Sequence, residues 1–294
     1  MPVLVGYSPH KEDLGALDLA CQLARSDGES VHAVSVLPQV WPTVVAGHTD
    51  REFEAWVTET GAGCAAEAAA HLGVHDDVPF EASWVSGRSV PQALLDRAAA
   101  IGAELVVVGS GDDVAHGQIG ITSKTDRLLH SSDVPIVIAP RGYQAGPGAT
   151  ITRITVAFRG DDATWSLLDN VARIARRTRA STRVVTFAIR SRPMYPRRVS
   201  GAEDMVHEAW VQQAREEQAE AAAHLRSLGF TDDTLTLAVA EGRSWGGAMD
   251  SLDWERGDVL VVGSSSTHRL SQVFLGSSAA KILRHSPVPV VVVR

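Results

Sequence analysis

The sequence predicts an α/β protein with two tandem doubly wound units, each a mainly parallel five-stranded sheet flanked by helices. Short apolar segments alternate with longer amphipathic segments along the chain, as strands and crossover helices do in a parallel sheet. Segments of the first half also recur in the second half, which indicates a duplicated domain. The 294 residues give each half enough chain to bury its own core.

The repeat is visible in four pairs of short segments. They are EAAAHL at 67–72 and 220–225, LVVVGS at 105–110 and LVVGS at 260–264, VLVGY at 3–7 and ITVAF at 154–158, and LLHSSDVPIVI at 128–138 and ILRHSPVPVVV at 282–292. The stretch 140–150 between the copies is rich in Gly and Pro and is typical of a linker. We therefore predict domains at 1–142 and 150–294.

The elements of the first half follow in order from this alternation. Strands are predicted at 2–6, 31–37, 80–85, 105–108 and 136–139, and helices at 9–26, 52–72, 90–101 and 125–131. Ser8 and Pro9 are typical of an N-cap and a first helical residue. Strand 105–108 is apolar throughout, as expected when helices cover both faces of the sheet. The second half repeats the pattern.

Composition and charge exclude several classes of protein. A formal charge of −8 and a pI near 5.7 argue against a general nucleic-acid or anionic-membrane binder. No apolar run approaches the ~18 residues of a membrane span, and the opening residues lack the regions of a signal peptide, so we expect a cytoplasmic protein. Cys21 and Cys64 lack metal or redox spacing, and Cys21 shares an apolar helical stripe.

The loops after the fourth strands carry the functional signal. In the second half a buried strand ends at Gly263, a small-residue loop follows, and a Gly-Ser pair precedes a helix. This VVGS–loop–GS–helix–PVPVVVV ending, present in tandem, resembles the universal stress protein family over essentially the whole chain. The resemblance implies a Gly-x2-Gly-x9-Gly-Ser/Thr loop for nucleotide phosphates and an aspartate after the first strand that contacts the nucleoside. It also implies self-association through the terminal strands.

The second half keeps most of that loop. Ser266 replaces the second glycine, and the final pair is Gly276 and Ser277. Its candidate binding residues are Gly263, Ser264, Ser266, His268, Arg269, Gly276, Ser277, Ser278 and Arg159. One non-glycine residue in left-handed geometry costs roughly 1–2 kcal/mol, and no acidic residue follows Gly263, so this half stays permissive for phosphate.

The first half departs further from the family pattern. Its counterpart residues are Gly109, Ser110, Asp112, Thr122 and Ser123. A carboxylate at Asp112 or Asp113, about 4 Å from a phosphate, repels it by ~1 kcal/mol in water and by ~4 kcal/mol at an effective dielectric near 20. The nucleoside aspartate is replaced in both halves, by Ser8 and by Arg159. We therefore expect ATP or AMP, or another anion, to bind weakly and only in the second half.

Several of these residues also have purely structural interpretations. Ser123 and Ser277 are typical helix N-caps, and Ser123 with Asp126 resembles a capping box. Asp161 or Asp162 either caps the next helix or stands in for the missing aspartate. Arg159 either reaches a phosphate or lies in solvent. For His71 and His224, matched on two helices, we expect packing or surface roles rather than metal binding.

Catalytic residues are not evident. The sequence has no Ser-His-Asp order that this fold would bring together, no metal-spaced cluster, and no lysine between Gly263 and Lys281. We expect a non-enzymatic stress-response or regulatory module, without metal, nucleic-acid or membrane partners. The alternatives are an interaction scaffold that binds no nucleotide and, third, a slow ATP hydrolase.

Overall fold

The computed structural model describes residues 2–8, 13–39, 48–190, 200–263 and 276–293, with the backbone alone for 48–50 and 200–204. The chain divides into unit 1, Met1–Thr150, and unit 2, Ile151–Arg294. Each unit alternates strands with helices, and all of its paired strands run parallel. The predicted α/β fold is confirmed.

Unit 1 has the strand order β3-β2-β1-β4-β5. Its elements are β1 Val3–Gly6, α1 Gly15–Asp27, β2 Val31–Pro38, α2 His48–Leu72, β3 Phe80–Gly87, α3 Val90–Ile101, β4 Leu105–Gly109, α4 Ser123–Ser131 and β5 Ile136–Ala139. Most bounds lie within a few residues of the sequence prediction. The connections from β1 to β2 and from β4 to β5 leave the middle of the sheet in opposite directions.

Unit 2 repeats this arrangement with the order β8-β7-β6-β9-β10. Its elements are β6 Arg153–Ala157, α5 Asp162–Thr178, β7 Ser181–Ile189, α6 Ser200–Ser227, β8 Leu235–Gly242, α7 Trp245–Asp250, β9 Asp258–Gly263, α8 Ser277–His285 and β10 Val290–Val293. The central pair is β6 with β9, just as unit 1 places β1 beside β4.

The central strands form the core of each unit. Val5 and Val107 are fully buried in unit 1, and Val156 and Leu260 are fully buried in unit 2. Consecutive residues of these strands are buried because both faces of the sheet are covered. Cys21 packs in the core as expected, and burial raises the pKa of its thiol to about 12.

Helix α1 begins later than predicted. It starts at Gly15 with Leu14 as its N-cap, so Ser8 does not cap it. Asp13 instead accepts hydrogen bonds from the N–H groups of Gly15 at 2.9 Å and Gly142 at 3.0 Å. A Cβ atom on Gly15 would lie 2.9 Å from the backbone of Tyr143, so only glycine fits this close approach.

The segment 140–150 is held against α1. Gln22 donates to the carbonyl of Thr150 at 2.9 Å, and Arg25 donates to the carbonyl of Ala149 at 2.8 Å. The hydroxyl of Tyr143 donates to the side-chain carbonyl of Gln22, which is 1% exposed. The predicted linker is therefore part of unit 1 up to its end.

Unit 2 buries an ion cluster at the amino end of its sheet. Asp258 is 1% exposed and accepts from Arg153 at 2.6 and 2.9 Å. The guanidinium of Arg183 lies 3.8 Å from Asp258 and 4.5 Å from the ring centre of Trp254. Burial, followed by the nearby charge of Arg153, lowers the pKa of Arg183. The start of β9 lies at the opposite end of the sheet from the loop after Gly263, so this cluster is structural.

Candidate functional site

The strand order places a crevice at the middle of each sheet. Strand β1 lies between β2 and β4, and β6 lies between β7 and β9, so each central pair marks the point where the order reverses. Ligands of open α/β sheets bind beyond the carboxyl ends of strands at such a point. In unit 1 these ends are Gly6 and Gly109, and in unit 2 they are Ala157 and Gly263.

In unit 1 the loop after β4 is closed on itself around Ser110. This serine is 2% exposed, and its hydroxyl oxygen accepts from the N–H of Gly120 at 2.7 Å. The same oxygen lies 3.2 Å from the carbonyl of Gln118, to which it donates. The N–H of Gly111 donates to the carbonyl of Gly120 at 2.9 Å. The N–H groups of Gly111 and Gly120 are thus already bonded within the loop and are not available to a phosphate.

The same loop is anchored to the chain that follows β5. The N–H of Gly117 donates to the carbonyl of Arg141 at 2.8 Å, and the N–H of Arg141 donates to Gln118 at 2.9 Å. Ile119 is 2% exposed and packs the loop against the domain. The loop is therefore a fixed part of unit 1 with an apolar anchor.

An acidic side chain lies over the glycines of this loop. The sequence placed Asp112 at the second glycine position, and both Asp112 and Asp113 are exposed. The carboxylate of Asp113 lies nearest to the loop backbone, because a Cβ atom on Gly111 would be 2.8 Å from its Oδ1 and one on Gly120 would be 3.2 Å away. Of the two carboxylates, Asp113 is thus the one that faces these glycines.

Thr122 and Ser123, the counterpart of the Gly-Ser pair, begin α4. Thr122 is the N-cap, and its Oγ1 accepts from the N–H of Thr125 at 3.1 Å. Ser123 is the first helical residue, so the predicted capping box of Ser123 with Asp126 is wrong. From the sequence alone, Thr122 and Ser123 are equally suitable N-caps. The extended backbone at Thr122 makes it the N-cap in the structure.

In unit 2 the described chain ends β9 at Gly263 and resumes at Gly276. The candidates Ser264, Ser266, His268 and Arg269 lie outside the described residues. Gly276 is the N-cap of α8 with φ −56° and ψ 152°, and Ser277 is the first helical residue, so the N-cap expectation for Ser277 is wrong. Ser277 is exposed and Ser278 half-buried. Since glycine offers no capping oxygen, the first N–H groups of α8 receive none from their own N-cap.

The fold does not require glycine at position 109 or 263, the first glycine of each loop. A Cβ atom on Gly109 would first meet Ala16 at 3.8 Å, and one on Gly263 would first meet Leu167 at 3.7 Å, both ordinary contacts. A side chain at either position would therefore not clash with the described residues. Gly263 lies at the carboxyl end of the central pair in unit 2.

The residues after β6 settle two open interpretations. Asp161 is the N-cap of α5 and accepts from the N–H of Thr164 at 3.0 Å. Arg159, whose side chain is 55% exposed, donates to the other oxygen of Asp161. Burial acts to raise the pKa of Asp161, but hydrogen bonds from Thr164 and then Arg159 outweigh it and hold the pKa below its usual value. Arg159 is thus at the surface, paired with the capping carboxylate.

The aromatic residue that follows the first strand has different contacts in the two units. Tyr7, the counterpart of Phe158, donates its hydroxyl proton to Glu67 at 2.9 Å. Burial, followed by the hydrogen bond to Glu67, raises the pKa of Tyr7 to about 12. Phe158 is 1% exposed and meets the ring of Trp165 edge-on at 5.4 Å. The residue next to each position, Ser8 or Arg159, is the one that replaces the family's aspartate.

Sequence reasoning missed how Ser110 is used. It treated this serine as a counterpart of a binding residue, whereas the structure buries it as the centre of a closed loop. The glycines on either side of the loop, Gly111 and Gly120, are the signal that could have indicated a tight internal turn. Across the residues that the structure covers, no helix is both long and apolar enough to cross a bilayer.

Comparison with known proteins places both halves in one family. The sequence model of the universal stress protein family matches residues 1–140 and 150–294. Universal stress proteins of Mycobacterium tuberculosis and Mycobacterium bovis are 36% identical over 294 residues, covering 99% of this chain and 99% of each relative.

Solved structures share the fold over the whole chain. A universal stress protein from Archaeoglobus fulgidus aligns with a TM-score of 0.65 at 14% identity, covering 100% of this chain and 98% of that one. A protein of unknown function from Pseudomonas aeruginosa aligns with a TM-score of 0.56 at 17% identity, covering 99% and 92%. With the family model matched in both halves and close relatives along its full length, the chain belongs to the universal stress protein family.

Proposed function

We propose that this universal stress protein is a non-enzymatic stress-response module that binds an adenine nucleotide, ATP or AMP, or another anion weakly in unit 2 alone. The observation that carries the proposal is the contrast between the loop of unit 1 and the start of α8 in unit 2. In unit 1 the loop is closed around Ser110, whereas in unit 2 the N-cap of α8 is Gly276, which has no side-chain oxygen.

In unit 1 a phosphate would have to displace existing bonds. Breaking the bond between Ser110 and Gly120 costs about 0.5–1.5 kcal/mol. The carboxylate of Asp113 adds a repulsion of ~1 kcal/mol in water and up to ~4 kcal/mol at an effective dielectric near 20. Together these terms offset the about 1.5–3 kcal/mol that one charged hydrogen bond to a phosphate contributes.

In unit 2 the start of α8 favours an anion. The nine-residue helix carries no acidic residue in its first turn and has Arg284 and His285 in its last turn. The positive end of its dipole therefore points toward the loop after β9 without a side-chain oxygen from its N-cap. Gly276, Ser277 and Ser278, with Gly263 opposite, are the described part of the proposed site. Ser264, Ser266, His268 and Arg269 complete it from the sequence.

The same region supports a non-enzymatic role. Lys281 is the first lysine after Gly263, and its ammonium lies 5.8 Å from the ring centre of Trp245. That cation is engaged on α7 rather than on the loop. The first carboxylate after β6, Asp161, caps a helix. Neither Lys281 nor Asp161 is thus placed to serve phosphoryl transfer as its cation or its base.

The alternative is an interaction scaffold that binds no nucleotide. Arg159 and Ser8 favour it, because they stand where nucleotide-binding members of the family carry the aspartate that contacts the nucleoside. Slow ATP hydrolysis is the third candidate. Self-association through the terminal strands β5 and β10, and a cytoplasmic location, also remain parts of the proposal. Sedimentation velocity tests the first of these.

Isothermal titration of the full chain with ATP and with AMP tests the proposal. We expect one weak saturable site, lost in Gly276→Asp because the new carboxylate repels the phosphate. The matched control is Thr122→Asp in unit 1, which keeps a good N-cap and should leave the titration unchanged. Loss of binding in Thr122→Asp with retention in Gly276→Asp would place the site in unit 1 and contradict the proposal.

Two further outcomes separate the alternatives. No saturable binding of either nucleotide to the wild-type chain would favour the scaffold. Turnover of ATP by the wild-type chain that disappears in Gly276→Asp would favour the hydrolase. Equal turnover in both proteins would indicate a contaminating enzyme.

A further inference from the structure

We propose that Asp18, His71 and His75 of unit 1 form a binding site for a divalent transition-metal ion of the zinc class. Their ligand atoms all lie within 4.8 Å of one another. No such group of three was expected from the sequence, which predicted packing or surface roles for His71. These three residues are not among those of the proposed nucleotide site, and the inference does not depend on that proposal.

The three residues come from elements with fixed backbones. Asp18 lies in the first turn of α1, and His71 lies in the last turn of α2. The turn after α2 brings back His75, whose N–H donates to the carbonyl of Leu72 at 2.9 Å. Leu72 is fully buried and anchors that turn. The site is therefore built at the junction of two helices, which favours precise placement of ligands.

The distances suit coordination after a small adjustment. Asp18 Oδ1 lies 2.6 Å from His71 Nε2 and 3.5 Å from His75 Nε2. Ligands about 2.0–2.1 Å from a tetrahedral zinc ion lie about 3.3 Å from one another. The contact of Asp18 with His75 already has that spacing, and its contact with His71 needs to open slightly. The two imidazoles stand at 75°, with ring centres 6.0 Å apart, so each presents its edge to the carboxylate.

The three side chains are largely buried, but His71 is exposed enough to give a metal ion access to the site. Asp18 and His75 are 12% and 8% exposed, while His71 is 23% exposed. The inner ligands are therefore shielded from water, and the side of His71 admits the ion. Two imidazoles and a carboxylate match the N and O donors that zinc binds, and water can supply a fourth ligand.

The charges around the site favour a cation. Arg25 faces His75, with its guanidinium 3.4 Å from Nδ1, but its charge is offset by an ion pair with Asp77. The carboxylate of Asp18 is then the acidic group that faces both imidazoles. Metal binding at Nε2 of His75 places the ring proton on Nδ1, toward Arg25. Its guanidinium would have to turn away from that ring, and its bonds to Asp77 and Ala149, both at 2.8 Å, provide it with other acceptors.

Unit 2 provides an internal comparison. His224, the counterpart of His71, lies 2.6 Å from Asp169, so the pair is repeated. The segment LGVHDD follows His71 directly, whereas in unit 2 the related segment LGFTDD begins at Leu228, four residues after His224, and carries Thr231 where LGVHDD carries His75. Within the described ranges, no group of three metal-ligating residues was found in unit 2. His75 is therefore what would turn a common Asp–His pair into a metal site.

Zinc titration of the full chain tests the inference. Isothermal titration with Zn²⁺ should show one saturable site, and Co²⁺ in its place should give the visible absorption of a four-coordinate ion. His75→Thr introduces the residue that LGFTDD carries in unit 2. It should weaken Zn²⁺ binding by more than about tenfold, because even the loss of a residue that only supports a metal ligand lowers metal affinity by about that factor. His224→Ala is the matched control and should bind as the wild type does.

Other results would overturn the inference. These are the absence of saturable Zn²⁺ binding to the wild-type chain, unchanged affinity in His75→Thr, or an equal loss in His224→Ala. Circular dichroism checks that each variant is folded. If His75→Thr does not fold, the isosteric Asp18→Asn replaces it, and unchanged Zn²⁺ affinity in that variant would equally overturn the site.

Discussion

Units 1 and 2 share one strand order but differ in the residues that begin the helix after their fourth strands. In unit 1 the preceding loop is a closed turn around Ser110 with Asp113 above it, and Thr122 caps the helix. In unit 2 the next described helix has Gly276, which carries no side-chain oxygen, at its N-cap. Sheet order rests on backbone bonds and apolar burial, which many sequences satisfy. Loop chemistry rests on a few side chains, so two copies with the same sheet order can differ there.

The amino ends of the two sheets differ as well. Unit 2 buries Asp258 against Arg153 and Arg183. In unit 1 the residue in register with Arg183 is His32, which pairs with the exposed Glu81 at 3.2 Å. The same fold thus carries a buried ion cluster in one copy and a surface pair in the other.

The largest expected effect is on stability, when the buried ion cluster of unit 2 loses its carboxylate. Asp258→Asn removes the charge that compensates two arginines, and losing one partner of a buried pair costs about 3–5 kcal/mol. Hydrogen exchange at neutral pH should show faster exchange in strands β6, β7 and β9. The matched change in unit 1, Glu81→Gln, should cost at most about 1 kcal/mol because its side chain is 55% exposed. Equal effects of the two changes would show that burial does not separate the clusters.

A medium effect concerns alkaline pH and unit 1. The folded pKa of Tyr7 is raised from 10.0 to about 12 by burial and by Glu67. The stability it contributes is therefore present below pH 10 and is lost as the pH rises toward 12, at most about 3 kcal/mol. Tyr143 and Cys21, also in unit 1, have pKa values raised to about 12 and add to this loss.

Thermal unfolding at pH 8 and pH 11 checks this prediction. Tyr7→Phe copies Phe158 of unit 2 and should reduce the alkaline loss while leaving stability at pH 8 nearly unchanged, because Glu67 is exposed. A drop of the same size in wild type and variant would mean that Tyr7 does not carry the effect.

The smallest expected effect concerns the two helix starts. Thr122→Ala removes the bond to the N–H of Thr125 and should cost about 1 kcal/mol. Gly276→Ser supplies a hydroxyl at the extended N-cap of α8 and should stabilise unit 2 by a few tenths of a kcal/mol. Denaturant unfolding measures both changes. If Gly276→Ser is destabilising, a serine hydroxyl at position 276 does not cap the first N–H groups of α8, contrary to expectation.

The fold could be predicted because its signals are periodic and repeated. Strand Ile136–Ala139 and helix Val90–Ile101 have the predicted bounds, since continuous apolar runs and Gly or Ser boundaries mark them. The predicted start of α1 was wrong because Ser8 and Pro9 match a cap pattern equally well. The actual start depends on residues far along the chain, since Asp13 accepts from Gly142 and Gly15 lies against Tyr143.

The candidate site could be predicted only in outline. Its position follows from strand order, but the choice between Thr122 and Ser123 as cap depends on backbone angles that no residue pattern specifies. His71 and His75 are four residues apart, a spacing that is visible in the sequence. Gly73 interrupts the helix between them, and Asp18 lies on another helix, so only the folded chain brings the three together.

The bonds from Gln22 and Arg25 to the carbonyls of Thr150 and Ala149 decide where the protein can be divided for expression. A fragment that stops at Pro140, where the family match ends, would expose the underside of its first helix and leave a buried amide without its acceptor. Anyone producing the two halves separately should cut after Thr150. The segment 140–150, which the sequence suggests is a linker, is therefore a structural part of unit 1.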